Sequence, residues 1–563
     1  MPRAPSLEMG VVVYFSDVFG RTPTLEEARA TLAQYTRESV LLVLAKLSAA
    51  LQLWFRPDYN KDNGLARDVF RNAAKVINQF LPGRPPRFFF SRLGILATAR
   101  LALTVCNDEH GRNIREPTEA AHILCCCLMM NELTVKSGPV STATDMLLHQ
   151  LPNHNGLARY DFRADLLRSL SIFERNRDLI GTRAGIVDLE LEFADATGLA
   201  ARRFAELCLV VGAPYRAITA ASLVANDPTF LVDKTRFANM TVSDETLSSF
   251  FGTVARTPQE LTDFLSTQKS RPLADTTVFQ SWPMIQVPRG GQYYCLDVAS
   301  LMDKTGRGLY WTLFGAADKS TKAKLGGTYG VAFEAYLHDR VRATGISAEV
   351  YLASPQFPSE DEVTDAIFVE GAYLVLCEYK SSVLRADAKL GGQLDQLVTE
   401  IDKKFITGDE DGRKGIAQLH RSIRRVLQGE PIVGLPERKW TKILAVMICL
   451  EHAMLCPGMS AYLNERFDRT TLKALSSTAV GPLVLIDVEH FEDLLPDIKQ
   501  YTFTTLLDDY YRNHMRATRD QLVPFRRANI PFLDDKPKPP DNKEAEFRKF
   551  FAGLGTRLFG EQS

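Results

Sequence analysis

Three charged residues flank two short apolar segments in the C-terminal half of the chain. Asp365 begins the run Asp-Ala-Ile-Phe-Val, and Glu378 and Lys380 end the run Tyr-Leu-Val-Leu-Cys-Glu-Tyr-Lys. Carboxylates that converge on one point can hold Mg²⁺, which activates water and neutralises charge on a phosphate. A lysine beside them can orient that water or stabilise charge in the transition state. Metal-dependent hydrolysis of a phosphodiester is therefore the chemistry that these residues could perform.

The two segments predict a β-hairpin that brings these side chains together. Strands over 365–369 and 373–380 are separated by Glu370-Gly371-Ala372, which is typical of a turn. Side chains alternate along a strand, so Glu378 and Lys380 share the face of Leu374 and Leu376. Antiparallel pairing then places Asp365 opposite the end of the second strand. Local geometry alone thus predicts a meeting of two carboxylates and a lysine.

This pattern resembles the PD-(D/E)xK nuclease superfamily. The resemblance rests on Asp365, on Glu378-Tyr379-Lys380 after an apolar strand, and on Glu334 within a preceding helix, in the run Gly326-Gly-Thr-Tyr-Gly-Val-Ala-Phe-Glu-Ala-Tyr336. It covers roughly a third of the chain. Thr364 stands where the superfamily often has proline. The implied fold is a restriction-endonuclease-like mixed sheet flanked by helices.

The resemblance also assigns roles to single residues. It implies that Glu334, Asp365 and Glu378 hold Mg²⁺, for which Mn²⁺ would substitute. Lys380 would position the attacking water or stabilise charge. The backbone carbonyl of Tyr379 would be a further metal ligand. Gln393, at the start of the next helix, would contribute to catalysis.

A surface hairpin with a salt bridge is the competing interpretation of the motif. Glu334 on a helix over 328–344, a strand over 346–352 and Gln393 on the following helix favour the nuclease interpretation. His338 lies one helical turn after Glu334 and is interpreted as a packed or solvated histidine. The run Gly326–Gly330 lacks the Gly-Lys-Ser/Thr ending of a nucleotide loop, which indicates close packing at a helix start.

Positive charge is concentrated on two helices after the motif. The cluster comprises Lys403, Lys404, Arg413, Lys414, Arg421, Arg424 and Arg425. It could follow a phosphate backbone, or it could be a solvated face partly neutralised by Asp409-Glu410-Asp411. Both interpretations stay open. Ser460 lacks the second glycine of a nucleophile elbow, so a serine hydrolase is not supported.

Composition limits the class of protein without naming a partner. The net charge is −1 over 563 residues, which neither supports nor excludes nucleic acid as a ligand. The nine cysteines are scattered, several lie in apolar runs, and none forms a CxxC pair, as expected for reduced thiols in the cytoplasm. No uncharged apolar stretch reaches the ~18 residues of a membrane span, so we expect no membrane partner.

The spacing of apolar residues divides the chain into four parts. Residues 1–235 have helical spacing and predict an α-helical N-terminal domain, within which 188–211 reads as one helix. Residues 236–324 form a connecting region with a hairpin around Gly290-Gly291. Residues 325–515 alternate helix and strand, which predicts an α/β C-terminal domain. Residues 516–563 form a Pro-rich linker and a short helix that docks back.

The sequence therefore predicts a magnesium-dependent deoxyribonuclease, an expectation that comes from the resemblance. By analogy with such fusions it would serve bacterial or phage defence. The helical domain would recognise a protein partner, mediate homo-oligomers or regulate the nuclease. RNA is an alternative substrate, since the motif does not separate the two nucleic acids. A catalytically silent nucleic-acid-binding or assembly module is the alternative from another class.

Overall fold

The chain folds into a helical N-terminal region followed by an α/β region. The computed structural model describes residues 11–51, 59–73, 75, 77–78, 87–134, 147, 162–218, 223, 230–268, 271–288, 290–347, 349–390, 393–407, 415–451, 456–475, 477–515, 525–539 and 542–559. Helices and mixed sheets are both present, as the sequence predicts. The boundaries between the four parts stay predictions.

Side-chain caps begin several helices of the first part. Thr24 forms a capping box with Glu27, and Ser91 accepts a hydrogen bond from the N–H of Gly94. The helices are α1 (Phe15–Phe19), α2 (Leu25–Leu32), α3 (Arg37–Ala50), α4 (Tyr59–Val69), α5 (Arg92–Val105), α6 (Pro117–Leu133), α7 (Phe162–Leu179), α8 (Leu189–Thr197) and α9 (Ala201–Gly212). The short strands β1 (Val11–Val12) and β2 (Arg87–Phe88) pair in parallel.

The expectation of one helix over 188–211 is wrong, since α8 and α9 are separate. Gly198 follows α8 with φ 73°, a left-handed conformation that ends a helix and that glycine adopts without steric cost. Apolar residues recur at helical spacing on both sides of this glycine, so their spacing alone does not indicate that the helix ends there.

The described part of the connecting region up to residue 303 contains four α-helices and a small sheet. The helices are α10 (Asp244–Val254), α11 (Pro258–Ser266), α12 (Thr277–Ser281) and α13 (Val298–Asp303). Strands β3 (Ala255–Arg256), β4 (Met284–Gln286) and β5 (Tyr293–Cys295) form the sheet in that order. β4 and β5 pair antiparallel on either side of Gly290 and Gly291, where the sequence predicts a hairpin.

A five-stranded mixed sheet organises the α/β region. Its strands lie in chain order across the sheet: β6 (Tyr351–Ala353), β7 (Ala366–Glu370), β8 (Tyr373–Lys380), β9 (Lys442–Cys449) and β10 (Val480–Asp487). β7 pairs antiparallel with both β6 and β8, whereas β8, β9 and β10 are parallel. The accompanying helices are α14 (Gly308–Ala316), α15 (Lys319–Ala343), α16 (Ala386–Leu390), α17 (Leu394–Ile401), α18 (Ile416–Leu427), α19 (Pro457–Phe467), α20 (Lys473–Leu475), α21 (Val488–Tyr501), α22 (Phe503–Tyr510) and α23 (Asn542–Phe559).

Both faces of the sheet are covered. Leu374 and Leu376 of β8 pack with the crossover helices α17, α18 and α19. The alternate residues Val375, Cys377 and Tyr379 join a larger core that also contains α15, α21 and the N-terminal helices. A strand buried on both faces reads as a continuous apolar run, which explains the composition of β8 and β9. Glu378 and Lys380 end β8 on the crossover face.

Two sequence expectations about the segment before the hairpin are wrong. α15 begins at Lys319, so Gly326 and Gly327 lie inside the helix rather than at its start. A Cβ added at either glycine would meet no atom within 4 Å, so close packing does not explain them. The strand expected over 346–352 is limited to β6, because the N–H groups of Val350 and Tyr351 donate to the carbonyl of Ser347 in a turn.

A buried ion network joins the helical region to the α/β region. Arg168 of α7 donates from Nε and Nη2 to the Glu492 carboxylate of α21, at 2.7 and 3.0 Å, and also pairs with Asp165. Lys543 of α23 lies 3.3 Å from Glu492, and Tyr336 of α15 donates to the same carboxylate. We call Asp165, Arg168, Glu492 and Lys543 the Arg168 cluster. It fixes α7, α21 and the C-terminal helix against α15.

The C-terminal helix returns to the helical region. Phe547 packs edge-on against Phe162, and the N–H of Thr241 donates to the Leu558 carbonyl at 2.6 Å. Among the described helices, α23 included, we find none with the length and apolar character needed to span a bilayer.

Candidate metal centre

The register of the β7–β8 hairpin places Asp365 beside the end of β8. Ala366 pairs with Cys377, so Asp365 stands next to Glu378. The N–H of Tyr379 donates to Asp365 Oδ2, which anchors the carboxylate at the strand end. Gly371 turns the hairpin with φ 61°, a conformation that favours glycine. The meeting of Asp365 and Glu378 that the sequence predicts is therefore present.

Glu378 and Lys380 form a buried ion pair. Lys380 Nζ lies 2.5 Å from Glu378 Oε1, and both side chains are at least nine-tenths buried. Thr364 Oγ1 donates to the Cys377 carbonyl at 2.7 Å and lies 3.4 Å from Glu378 Oε2. Burial acts to lower the pKa of Lys380, but Glu378 and Asp365 outweigh it and raise that pKa. The lysine is therefore held as a cation.

A glycine within the β8–β9 crossover supplies another donor to Glu378. The N–H of Gly415 donates to Glu378 Oε1 at 3.3 Å. Gly415 has φ 66°, and an added Cβ would lie 2.2 Å from the Phe405 carbonyl oxygen. Only glycine fits this position, because any side chain would collide with backbone.

Glu334, on α15, is connected to Asp365 through Ser354. Ser354, just after β6, donates from Oγ to Glu334 Oε1 at 2.9 Å. Ser354 has φ 44°, which is unusual for a residue other than glycine. Its N–H donates to the Asp365 carbonyl at 2.8 Å, so this strained residue contacts both Glu334 and the backbone of Asp365.

His338 is a packed histidine that supports Glu334. Its Nδ1 lies 2.5 Å from the Tyr351 hydroxyl, and its Nε2 lies 3.4 Å from Glu334 Oε1. Tyr351 in turn lies 3.1 Å from the hydroxyl of Tyr379. The side chain of Tyr379 thus belongs to a buried network on the opposite face of β8, and its carbonyl stays a predicted ligand.

Glu362 is a third carboxylate that sequence reasoning missed. Carboxylate oxygens of Glu334, Glu362 and Asp365 all lie within 4.8 Å of one another. Glu362 lies in the loop between β6 and β7, where no periodicity distinguishes it. The acidic run Glu360-Asp361-Glu362 just before Asp365 was the available signal. We call Glu334, Glu362 and Asp365 the Glu334 cluster.

Asp365 and Glu362 of the Glu334 cluster lack full compensation of their negative charge. Burial raises the pKa of Asp365 well above its usual value, Glu378 raises it further, and Lys380 acts in the opposite direction. Burial, Glu334 and Glu378 likewise raise the pKa of Glu362. Two oxygens bound to one cation at roughly 2.0–2.6 Å can be at most about 4–5 Å apart. Three carboxylate oxygens at this spacing could hold a divalent cation after a small closing movement.

Not every residue expected in the site is found there. Glu378 contacts Lys380 and is not among the three carboxylates that cluster within 4.8 Å. Gln393 is exposed at the N-cap of α17, and the described contacts do not link its side chain to a carboxylate of the site. Its catalytic role stays a prediction.

The basic cluster is only partly described. Arg413 and Lys414 lie outside the described residues, as do Asp409, Glu410 and Asp411. Arg425 pairs with Asp361 at 2.9 Å and with Glu430, whereas Arg424 is exposed.

Comparison with known proteins adds no relative. The chain matches no protein-family model, no curated protein and no solved structure.

Proposed function

We propose that this protein is a metal-dependent nuclease that hydrolyses DNA phosphodiester bonds with Mg²⁺. The observation that carries the proposal is the convergence of Glu334, Glu362 and Asp365 beside the buried Glu378–Lys380 pair. Their pattern in the sequence, which resembles the PD-(D/E)xK superfamily, supports the same chemistry.

Each residue has a distinct role in the proposed reaction. Glu334, Glu362 and Asp365 would hold the cation, and Glu378 would add negative charge beside it. A bound Mg²⁺ supplies an activated water and neutralises charge on the phosphate. Lys380, kept protonated by Glu378, would donate a hydrogen bond to the attacking water or to a phosphate oxygen. The partial burial of these groups strengthens such interactions because the surroundings screen charge less than water does.

Cleavage of plasmid DNA by the full chain tests the proposal. Wild type is compared with Asp365→Asn, with Lys380→Met and with Asp534→Asn, a control at an exposed aspartate. We expect Asp365→Asn to lose Mn²⁺ binding, measured by calorimetry, and about 10³-fold in rate, since a catalytic metal contributes several kcal/mol. Lys380→Met should keep measurable Mn²⁺ binding and lose about 10²–10³-fold in rate.

The outcomes separate the alternatives. Equal cleavage by all four proteins would assign the activity to a contaminant and overturn the proposal. Wild type that binds DNA and cleaves neither DNA nor RNA, with Mg²⁺ or with Mn²⁺, would identify a catalytically silent module. Cleavage of an RNA transcript in preference to the plasmid would change the substrate and leave the site in place.

A further inference from the structure

The first half of α15 presents an open face that leads to Glu334. At about 100° of rotation per residue, the side of the helix within about 80° of Glu334 includes Lys319, Ala323, Lys324, Gly326, Gly327 and Gly330. All of these are exposed except Gly330, which is half-buried. Beyond Glu334 the same side is covered, because His338 is buried against Tyr351. We call the six residues the α15 face, which runs from solvent to the Glu334 cluster.

Two glycines on the α15 face lower the stability of the helix without a packing reason. Glycine is less favourable than alanine inside a helix, because it loses more backbone freedom on folding. A Cβ added at Gly326 or Gly327 would meet no atom of the described residues within 4 Å. No neighbouring element of the described fold therefore requires the missing side chains. A ligand that lies on the helix from outside would require them.

Gly330 brings the α15 face next to the end of β8. An added Cβ there would lie 3.4 Å from Oγ of Ser381, which directly follows Lys380 in the sequence. Gly330 and Glu334 are one helical turn apart on the same side of the helix. The half-buried Ser381 hydroxyl has no hydrogen-bond partner in the described part of the chain. A ligand that reaches Glu334 along α15 would therefore meet a hydroxyl group beside it.

The same half of the helix carries positive charge that the fold does not require. Residues 319–333 contain Lys319, Lys322 and Lys324 and no acidic residue. Lysine is unfavourable in the first turns of a helix, because the aligned peptide dipoles already place positive charge there. Among the described residues, no carboxylate oxygen lies within 4.0 Å of these ammonium groups. Exposed lysines without acidic partners complement the charge of a phosphate backbone.

We propose that the strand to be cut lies along the α15 face, with its phosphates against Lys319 and Lys324 and the scissile phosphate at the Glu334 cluster. This inference rests on the proposed function. Lys324 and Glu334 are about 15 Å apart along the helix axis, which corresponds to about four nucleotides of one DNA strand. The missing side chains of Gly326 and Gly327 let the strand approach the helix closely.

The salt dependence of DNA binding tests the lysines. Binding of a labelled duplex is measured in full-length protein that carries Asp365→Asn to prevent cleavage. Lys319→Ala combined with Lys324→Ala should weaken binding about 10–50-fold at about 0.1 M salt. The slope of log K against log salt should become shallower by about 1.8, since each phosphate contact contributes about 0.9. Lys439→Ala combined with Lys538→Ala, at two exposed lysines outside the α15 face, should change binding by about twofold or less.

A bulky side chain on the α15 face tests the path of the strand. Gly327→Leu fills an open position and improves helix propensity, so it should not lower the unfolding temperature. The leucine would stand where the strand lies, so kcat/KM for DNA cleavage should fall about 10–100-fold while Mn²⁺ affinity is unchanged. Gly252→Leu is the matched control, because Gly252 is an exposed glycine within α10 where an added Cβ also meets open space.

The outcomes separate this inference from the proposed function. Wild type that cleaves DNA, with α15 variants equal to their controls, would place the strand elsewhere and leave the nuclease proposal intact. Lower unfolding temperature or weaker Mn²⁺ binding in the α15 variants would show a structural role and overturn the inference. Wild type that binds DNA through these lysines without cleaving it would support the surface and overturn the nuclease proposal. Wild type that neither binds nor cleaves DNA would overturn both.

Discussion

Two clusters of charged residues, the buried Arg168 cluster and the partly exposed Glu334 cluster, differ in how their charges are compensated. In the Arg168 cluster, burial acts to raise the pKa of Glu492, but Arg168, Lys543 and Arg340 outweigh it and lower that pKa to about 2. In the Glu334 cluster, burial and the neighbouring acids raise the pKa of Asp365, and Lys380 compensates only in part.

The difference separates a structural cluster from a candidate binding site. Arg168 makes paired hydrogen bonds to Glu492 and joins elements distant in the sequence. The opposite charges of the Arg168 cluster therefore neutralise one another within the fold. The acids of the Glu334 cluster repel one another, and a divalent cation would relieve that repulsion. Stability should therefore depend on side chains at the first cluster and on added metal at the second.

Removing the cation of the Arg168 cluster should have the largest effect on stability. Arg168→Met leaves Asp165 and Glu492 buried beside each other without their main partner. We expect the free energy of unfolding to fall by about 3–5 kcal/mol, the usual result of breaking a buried ion pair. Urea denaturation measures it, with Arg177→Met as the exposed control. A loss under about 1 kcal/mol would remove the distinction between the clusters.

Low pH should cause the second largest loss of stability, again through the Arg168 cluster. The pKa of Glu492 is about 2 in the folded protein against 4.5 for a free glutamate, so its contribution to stability is complete above pH 4.5. That contribution, about 3 kcal/mol, is lost as the pH falls from 4.5 toward 2, because the unfolded chain takes up the proton first. Denaturation midpoints across this range should depend less on pH in Glu492→Gln than in wild type. Glu437→Gln, at an exposed glutamate, should follow wild type.

Divalent cations should stabilise the folded protein through the Glu334 cluster. At a concentration about 100 times the dissociation constant, Mn²⁺ should add about 2.7 kcal/mol to the free energy of unfolding. Thermal denaturation with Mn²⁺ and with EDTA measures the gain. Glu362→Gln should reduce it, and Glu437→Gln should retain it. A gain that is identical in Glu362→Gln and wild type would place the metal elsewhere.

Substitutions of Ser354 should have the smallest effect of this series, because they change one hydrogen bond and one backbone conformation. Ser354→Ala loses the hydrogen bond to Glu334 and keeps the strained backbone, whereas Ser354→Gly loses the same bond and relieves the strain. Mn²⁺ affinity should fall about tenfold in Ser354→Ala, as for other residues that orient a metal ligand. Ser354→Gly should unfold at a higher temperature than Ser354→Ala. The reverse order would show that the φ of Ser354 stores no strain.

The sequence predicted best what short-range geometry controls. Alternation along β8 placed Glu378 and Lys380 on one face, and the turn at Gly371 set the register that brings Asp365 beside them. Capping by Thr24 and Ser91 is a local effect of the same kind. The break at Gly198 and the start of α15 at Lys319 were not predicted. The spacing of apolar residues does not mark where a helix begins or ends.

Features of the site that depend on long-range contacts were harder to predict from the sequence. Glu334 was identified through its resemblance to a family pattern, and Glu362 was missed because a loop residue has no periodicity. The Glu334 side chain meets Glu362 and Asp365 only because α15 packs against the sheet. The register of a hairpin is a local property, whereas the approach of two distant segments depends on the whole core.

The amino-acid sequence by itself determined the hairpin, its polar end and the division into helical and α/β parts. Those follow from side-chain alternation, turn chemistry and helical spacing, which act over a few residues. Only the packing of the whole fold fixes which carboxylates converge and that Glu378 pairs with Lys380. Such contacts arise when burial of apolar faces fixes how elements pack, and the balance of charge within each cluster is set only then.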